Sequence, residues 1–131
     1  METYVWYQQL IRPDWAPPAW VFGPVWSVLY LLIFISFGAV LLKVFQKKLP
    51  AKIALPFVLN IVFNLAFTPI QFGLQNNILA ALDILFVLGT MVWMFKFIWP
   101  HMRWVIYVNI PYFLWVSFAT ILQLTITYLN L

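Results

Sequence analysis

The stretch "WAPPAWVFGPVWSVLYLLIFISFGAVLL", residues 15–42, contains no Lys, Arg, Asp or Glu. A membrane-spanning helix needs about 20 predominantly apolar residues, so this stretch is long enough to cross a bilayer. Residues 53–82 and 104–131 are equally free of these charged residues. The chain is 66% hydrophobic and 8% charged, whereas a soluble domain has roughly 25% charged residues. We therefore predict one integral membrane domain over residues 1–131, embedded in a lipid bilayer.

Three short segments that contain polar residues, Gly or Pro separate the apolar runs: "QKKLPAK" (46–52), "QFGLQNN" (71–77) and "IWPHMR" (98–103). The pattern predicts four transmembrane helices over about residues 18–45, 51–72, 78–98 and 101–129. Because the loops between them are short, consecutive helices should pack antiparallel. The predicted fold class is an all-α membrane bundle.

The basic residues indicate the orientation of this bundle. All but one of the seven basic residues lie in or beside two loops, which predicts that these loops are cytoplasmic and that both termini are outside. The six are Lys43, Lys47, Lys48, Lys52, Lys96 and Arg103. The same placement explains the net charge of +4 without nucleic acid as a partner.

The chain has few residues that suit acid–base or metal chemistry. It contains one His, three acids and no Cys, which argues against a hydrolase, a thiol enzyme and a metal site. We predict no catalytic residue and no required cofactor. Asp83 stands apart because it lies about 8 Å into the third predicted helix. An acid there is either a functional group in the membrane or a residue stabilised by the positive end of the helix.

Other polar and aromatic side chains share helix faces. Asn60 and Asn64 lie four residues apart on the second helix, where amides either bond to a neighbouring helix or contact a ligand. Trp26 and Tyr30 share a face of the first helix, and one face of the fourth helix carries Tyr112, Trp115 and Ala119. If the two aromatic faces meet, they form a flat apolar slot. Ordinary helix packing is the alternative.

The motif "WYQQLIRPDWAPPAWVFGPVWSVLY", residues 6–30, resembles the signature of the tryptophan-rich sensory protein and translocator protein family, also called the peripheral-type benzodiazepine receptor family. Two further stretches match in order and spacing: "NLAFTPIQFGLQNNILAALDILFV" (64–87) and "PYFLWVSFATILQL" (111–124). The resemblance covers essentially the whole chain. It implies a helical bundle with a pocket for porphyrins such as protoporphyrin IX and haem, for sterols or for benzodiazepine-type compounds.

The resemblance also implies which residues line the pocket. The matching positions are Tyr7, Trp26, Tyr30, Asn64, Trp115 and Ala119. Most of these positions are also candidates from their depth in the membrane and their helix face. Tyr112 is a candidate on that second basis alone.

Several features depart from the family pattern. Members usually have five transmembrane helices, and here only residues 1–5 precede the Trp-Tyr pair, so we expect the first family helix to be missing. Its absence leaves the groove either open to lipid or filled by a partner chain. Because family members often dimerise, we expect a homodimer. Phe67 replaces a tryptophan and Gln71 a phenylalanine, which changes the pocket lining. The cholesterol-recognition pattern of animal members is broken at Leu124 and Tyr128.

Four functions remain open from the sequence. The first is a porphyrin-binding carrier or stress sensor, and the second is a light-dependent porphyrin-degrading enzyme that uses Trp26 and Trp115. A proton-driven drug exporter is disfavoured because Asp83 is shallow in the membrane. A structural partner protein would bind no ligand.

Overall fold

The computed structural model describes residues 9–130 of the chain. Within this range, four helices are long and apolar enough to cross a membrane. Three of them are α1 (Phe22–Phe45), α2 (Ala54–Thr68, extended at its start by the 3-10 turn Ala51–Ile53) and α3 (Asn77–Ile98). The short helix α4 (Arg103–Val108) precedes the fourth, α5 (Ile110–Leu129). No strand occurs within these residues. The predicted all-α membrane bundle is confirmed.

Prolines determine where two helices begin. A 3-10 turn, Ala19–Val21, precedes α1, and the Val21 N–H donates to the Pro18 carbonyl at 3.0 Å. The α-helix therefore begins four residues later than the sequence predicts, and Pro24 lies in its first turn. A residue there has no intrahelical partner for its N–H, so proline is accommodated at little cost.

The last membrane-spanning segment is broken into two helices, α4 and α5, whereas the sequence predicts one continuous helix. Asn109 separates α4 from α5 with φ −96° and ψ 9°, and Pro111 follows in the first turn of α5. Proline cannot donate the hydrogen bond that a continuous helix would need there. The Asn109 side chain donates instead to the Val105 carbonyl and to the Ser36 hydroxyl, each at 2.8 Å. The break thereby ties α5 to α1.

The core of the bundle is built around α3, which packs along α2 and α5. Met91 and Met94 of α3 are fully buried. The contacts between α1 and α2 show that the two helices run antiparallel. Phe37, late in α1, meets Phe57, early in α2, edge-on at 4.9 Å. Tyr30, earlier in α1, bonds to Asn64, later in α2. Half of the α1 residues are exposed, as expected of a helix in contact with lipid.

The segment that leads into α1 lies along the second half of α5. The Ile11 backbone exchanges two hydrogen bonds with the Asn130 side chain, at 3.1 and 2.9 Å. Nearer to α1, the Trp15 ring meets Phe118, in the middle of α5, edge-on at 5.7 Å. These contacts hold the proline-rich segment against the part of α5 that extends beyond the start of α1.

Candidate functional site

The sequence-predicted site residues lie on three helices that face one another. Trp26 and Tyr30 lie on α1, and Asn64 lies on α2. The remaining candidates on α5 are Tyr112, Trp115 and Ala119. Tyr7 lies outside the residues that the structure describes.

Three of these residues form a continuous hydrogen-bond network. The Tyr30 hydroxyl donates to Asn64 Oδ1 at 2.9 Å, and Asn64 Nδ2 donates to the Tyr112 hydroxyl at 2.8 Å. The Tyr112 hydroxyl donates in turn to Asn60 Oδ1 at 2.8 Å. Asn60 Nδ2 then reaches α3, where the Val87 carbonyl accepts at 3.0 Å. The network links α1, α2, α3 and α5.

Sequence reasoning found part of this network and missed its α3 end. Asn60 and Asn64 share a helix face, as their spacing indicates. Thr90, whose hydroxyl accepts from Asn60 Nδ2 at 3.1 Å, was not identified. Its hydroxyl also donates to carbonyls of its own helix, Phe86 at 2.8 Å and Val87 at 3.0 Å. A threonine in an apolar helix usually bonds only to a carbonyl of its own helix. The presence of Thr90 in the sequence therefore does not indicate a bond to another helix.

The aromatic rings of α1 and α5 form a second, adjoining cluster. Trp26 packs against Tyr30 at 5.4 Å between ring centroids and meets Tyr112 edge-on at 6.4 Å. Trp115 meets Phe22 edge-on at 5.9 Å. Because Phe22 and Trp26 are one helical turn apart, both tryptophans belong to the same α1–α5 face.

One polar atom in this cluster has no partner among the described residues. The indole Nε1 of Trp115 is buried and makes no hydrogen bond there, although Phe118 packs beside its ring at 5.6 Å. Buried indole N–H groups usually find an acceptor. A ligand with an acceptor oxygen or nitrogen at this point would satisfy the donor.

The last two candidates have simpler surroundings. Ala119, one turn beyond Trp115, is half-buried against the core and adds no bulk to the cluster. Asp83 is buried on α3, about 9 Å from the start of the helix. Its Oδ2 has no hydrogen-bond partner among the described residues. Asp83 has no described hydrogen bond or ring contact with the polar network or with the aromatic cluster.

Known proteins resemble this chain over nearly its full length. "Uncharacterized membrane protein YtaB" of Bacillus subtilis is 36% identical over 126 residues, which cover 96% of this chain and 81% of the relative. "Tryptophan-rich protein TspO" of Bacillus cereus is 38% identical over 125 residues, covering 95% and 80%. The human "Translocator protein" is 32% identical over 126 residues, covering 90% and 70%. The sequence pattern of the TspO/MBR family matches residues 1–129, and the chain belongs to that family.

Proposed function

We propose that this membrane protein binds a porphyrin, such as protoporphyrin IX or haem, between the first half of α1 and the first half of α5 and serves as a carrier or stress sensor. Membership in the TspO/MBR family supports a sensory or transport role in a membrane. The observation that carries the porphyrin proposal is the buried, unpartnered Trp115 indole N–H within an aromatic cluster. Porphyrins combine a flat apolar ring, which stacks on aromatic side chains, with carboxylates that accept hydrogen bonds.

The geometry favours Trp115 over Asn64 as the polar contact for such a ligand. Both amide atoms of Asn64 are engaged, Oδ1 by Tyr30 and Nδ2 by Tyr112. A ligand that bonded to Asn64 would have to break one of these bonds. The Trp115 donor has no described hydrogen bond to exchange. Its Nε1 atom is buried, so a ligand must move the neighbouring rings apart to reach it.

A titration with protoporphyrin IX, followed by the absorbance of the porphyrin, tests this proposal in purified protein. Trp115→Phe keeps an aromatic ring and removes the N–H, so it should weaken binding by about tenfold, the equivalent of one net hydrogen bond. Trp26→Phe should weaken binding through lost stacking area. Trp104→Phe is the matched control, because Trp104 is exposed at the other end of the bundle. Equal affinity in all four proteins would contradict the site, and no saturable binding would favour a structural partner protein.

Light-dependent breakdown of the porphyrin is a second candidate. It is favoured by the contact of Trp26 with two further oxidisable rings, those of Tyr30 and Tyr112. Loss of porphyrin absorbance under illumination, compared between the wild type and the Trp26→Phe and Trp115→Phe variants, tests it. Breakdown at the wild-type rate in both variants would exclude the tryptophans from the reaction.

The proposal includes a homodimer, as the family resemblance implies. Light scattering of the detergent-solubilised protein, corrected for bound detergent, measures the protein mass. A mass of one 15.5 kDa chain would contradict the dimer.

A further inference from the structure

A groove of about 390 Å³ lies between α1 and α2, on the side of Tyr30 away from the aromatic cluster. Phe34, Gly38 and Leu41 line it from α1, and Ile61 and Leu65 line it from α2. Gly38 helps to create the space, since a Cβ at this position would meet nothing within 4 Å. The walls are almost entirely apolar, so the groove suits a hydrocarbon occupant.

The polar side chains at the deep end of the groove are already satisfied. Tyr30, Asn60, Asn64 and Tyr112 also line it, but their hydroxyl and amide groups bond to one another. An occupant therefore needs no polar group at that end. The apolar end of a lipid chain meets this condition.

The length of the groove fits one extended hydrocarbon chain. Its α1 lining runs from Tyr30 to Leu41, which is about 16 Å along the helix axis. One leaflet of the hydrocarbon core is about 15 Å deep. An acyl chain that spans one leaflet therefore matches this wall of the groove in length.

Positive charge gathers where the groove ends. Lys43 follows the last lining residue of α1 by two positions, and Lys47, Lys48 and Lys52 lie in the connection to α2. All four side chains are exposed. The acids among the described residues, Asp14 and Asp83, are placed toward the opposite end of the bundle, before α1 and in the second turn of α3. Within residues 9–130, the lysine cluster therefore has no acidic side chain nearby to neutralise it.

We propose that this groove binds an anionic phospholipid, with one acyl chain between α1 and α2 and the phosphate on the lysine cluster. The charge of the lysines complements that of the headgroup, and the α1 wall of the apolar groove begins about 3 Å deeper than Lys43, within reach of the same lipid molecule. The site is separate from the proposed porphyrin site, although Tyr30 borders both. It adds a lipid partner to the porphyrin proposal and does not depend on it.

Native mass spectrometry of the detergent-solubilised full chain tests the proposal with two lipids that share the same acyl chains, dioleoyl-phosphatidylglycerol and dioleoyl-phosphatidylcholine. We expect one molecule of phosphatidylglycerol to remain bound per chain, with clearly weaker retention of phosphatidylcholine. The double variant Lys47→Gln/Lys48→Gln should lower the affinity by about fivefold per lysine. Its matched control is Lys96→Gln, which removes a charge at the end of α3.

A second pair of variants tests the groove itself. Gly38→Leu should fill it and abolish phosphatidylglycerol retention. Gly89→Leu should retain the lipid, because Gly89 is also an exposed helical glycine with open space around it but lies on α3. Far-UV circular dichroism confirms the helix content of both. The lysine variants, which change only exposed side chains, keep the test decisive if Gly38→Leu does not fold.

Four results would overturn the proposal. Equal retention of the two lipids, or retention unchanged by the lysine substitutions, would show that the headgroup is not recognised. Retention unchanged in folded Gly38→Leu would show that the lipid binds elsewhere. A dimer mass that Gly38→Leu converts to a monomer mass, with no lipid bound in either state, would assign the groove to a second copy of the chain. In detergent without added lipid, porphyrin affinity should be unchanged in the lysine variants, so failure of this proposal is distinguishable from failure of the porphyrin site.

Discussion

Replacing Tyr112 by phenylalanine should destabilise the bundle more than removing the hydroxyl of any exposed tyrosine. The Tyr112 side chain is fully buried, and its hydroxyl accepts from Asn64 Nδ2 and donates to Asn60 Oδ1, both at 2.8 Å. Tyr112→Phe removes both bonds and leaves these two amide atoms without a described partner. Hydrogen bonds between membrane helices contribute about 0.6 kcal/mol on average and up to about 1.7 kcal/mol each. The expected loss in the free energy of unfolding is therefore about 1–3 kcal/mol.

Two other tyrosines provide a graded comparison. Tyr30→Phe removes one bond at a position that is 41% exposed, so its cost should be about 0.6 kcal/mol or less. Tyr128→Phe changes a side chain that is 76% exposed and should cost close to nothing. Equilibrium unfolding in mixed micelles by added SDS, followed by far-UV circular dichroism, measures all three.

A double-mutant cycle isolates the bond between Tyr112 and Asn64. Asn64→Leu, Tyr112→Phe and the double variant should give a coupling free energy of about 0.6–1.7 kcal/mol, since the double variant leaves no partner of this bond unpaired. The reasoning would be refuted if Tyr112→Phe destabilised the protein no more than Tyr128→Phe does. A coupling free energy of zero would separately show that this bond does not hold α2 to α5.

Three further substitutions test other parts of the structure. Asp83→Asn should not lower the free energy of unfolding at pH 7, because the buried carboxyl lacks a described partner; a loss above about 1 kcal/mol would reveal a bound cation or another charged partner. Gly38→Ala and Gly89→Ala should each raise the free energy of unfolding by up to about 1 kcal/mol in the same micelle assay, since both positions have room for a Cβ and neither glycine has a positive φ. A loss at either position would show that the space around that glycine is filled in the solubilised protein. The chain has no cysteine, so single Lys48→Cys and Asp14→Cys variants can map orientation in intact cells: an impermeant maleimide should label only the latter if both termini are outside.

The sequence predicts the existence of the helices better than their rotation. Charge-free runs bounded by polar or proline-containing segments locate the four transmembrane helices, because only a helix satisfies its backbone in lipid. The interruption at Asn109 was missed, although Pro111 gave a local signal for it. Its physical cause is the Asn109 side chain bonding to Ser36, a residue 73 positions away in sequence. Such a contact cannot be read from the local pattern.

Helix rotation is weakly encoded because most faces of these helices are apolar. In water an apolar stripe points to the core, but lipid tails are as apolar as leucine and impose no such preference. The polar and aromatic residues are the exception. Tyr30, Asn64 and Tyr112 were placed on inward faces from spacing and depth, and the structure joins them by hydrogen bonds. Their partners on α3, an apolar helix with one threonine in the network, could not be chosen from sequence.

Tyr30 connects the two proposed binding sites and predicts that they are coupled. Its ring contacts Trp26 on the porphyrin side, and its hydroxyl bonds to Asn64, whose side chain lines the lipid groove. A porphyrin that moves the Tyr30 ring must strain or break this bond, and a lipid chain packed against the ring resists the movement. Phosphatidylglycerol should therefore weaken porphyrin binding, and thermodynamic linkage requires porphyrin to weaken lipid binding by the same factor.

The coupling can be assigned to the ring or to the hydroxyl. Tyr30→Phe preserves the ring and removes the bond to Asn64, so coupling that survives in this variant acts through packing alone. Porphyrin titrations with and without phosphatidylglycerol, in the wild type and in Tyr30→Phe, measure the factor. An identical porphyrin affinity at zero and saturating lipid would show that the sites are independent, and Tyr30 would then be a rigid wall between them.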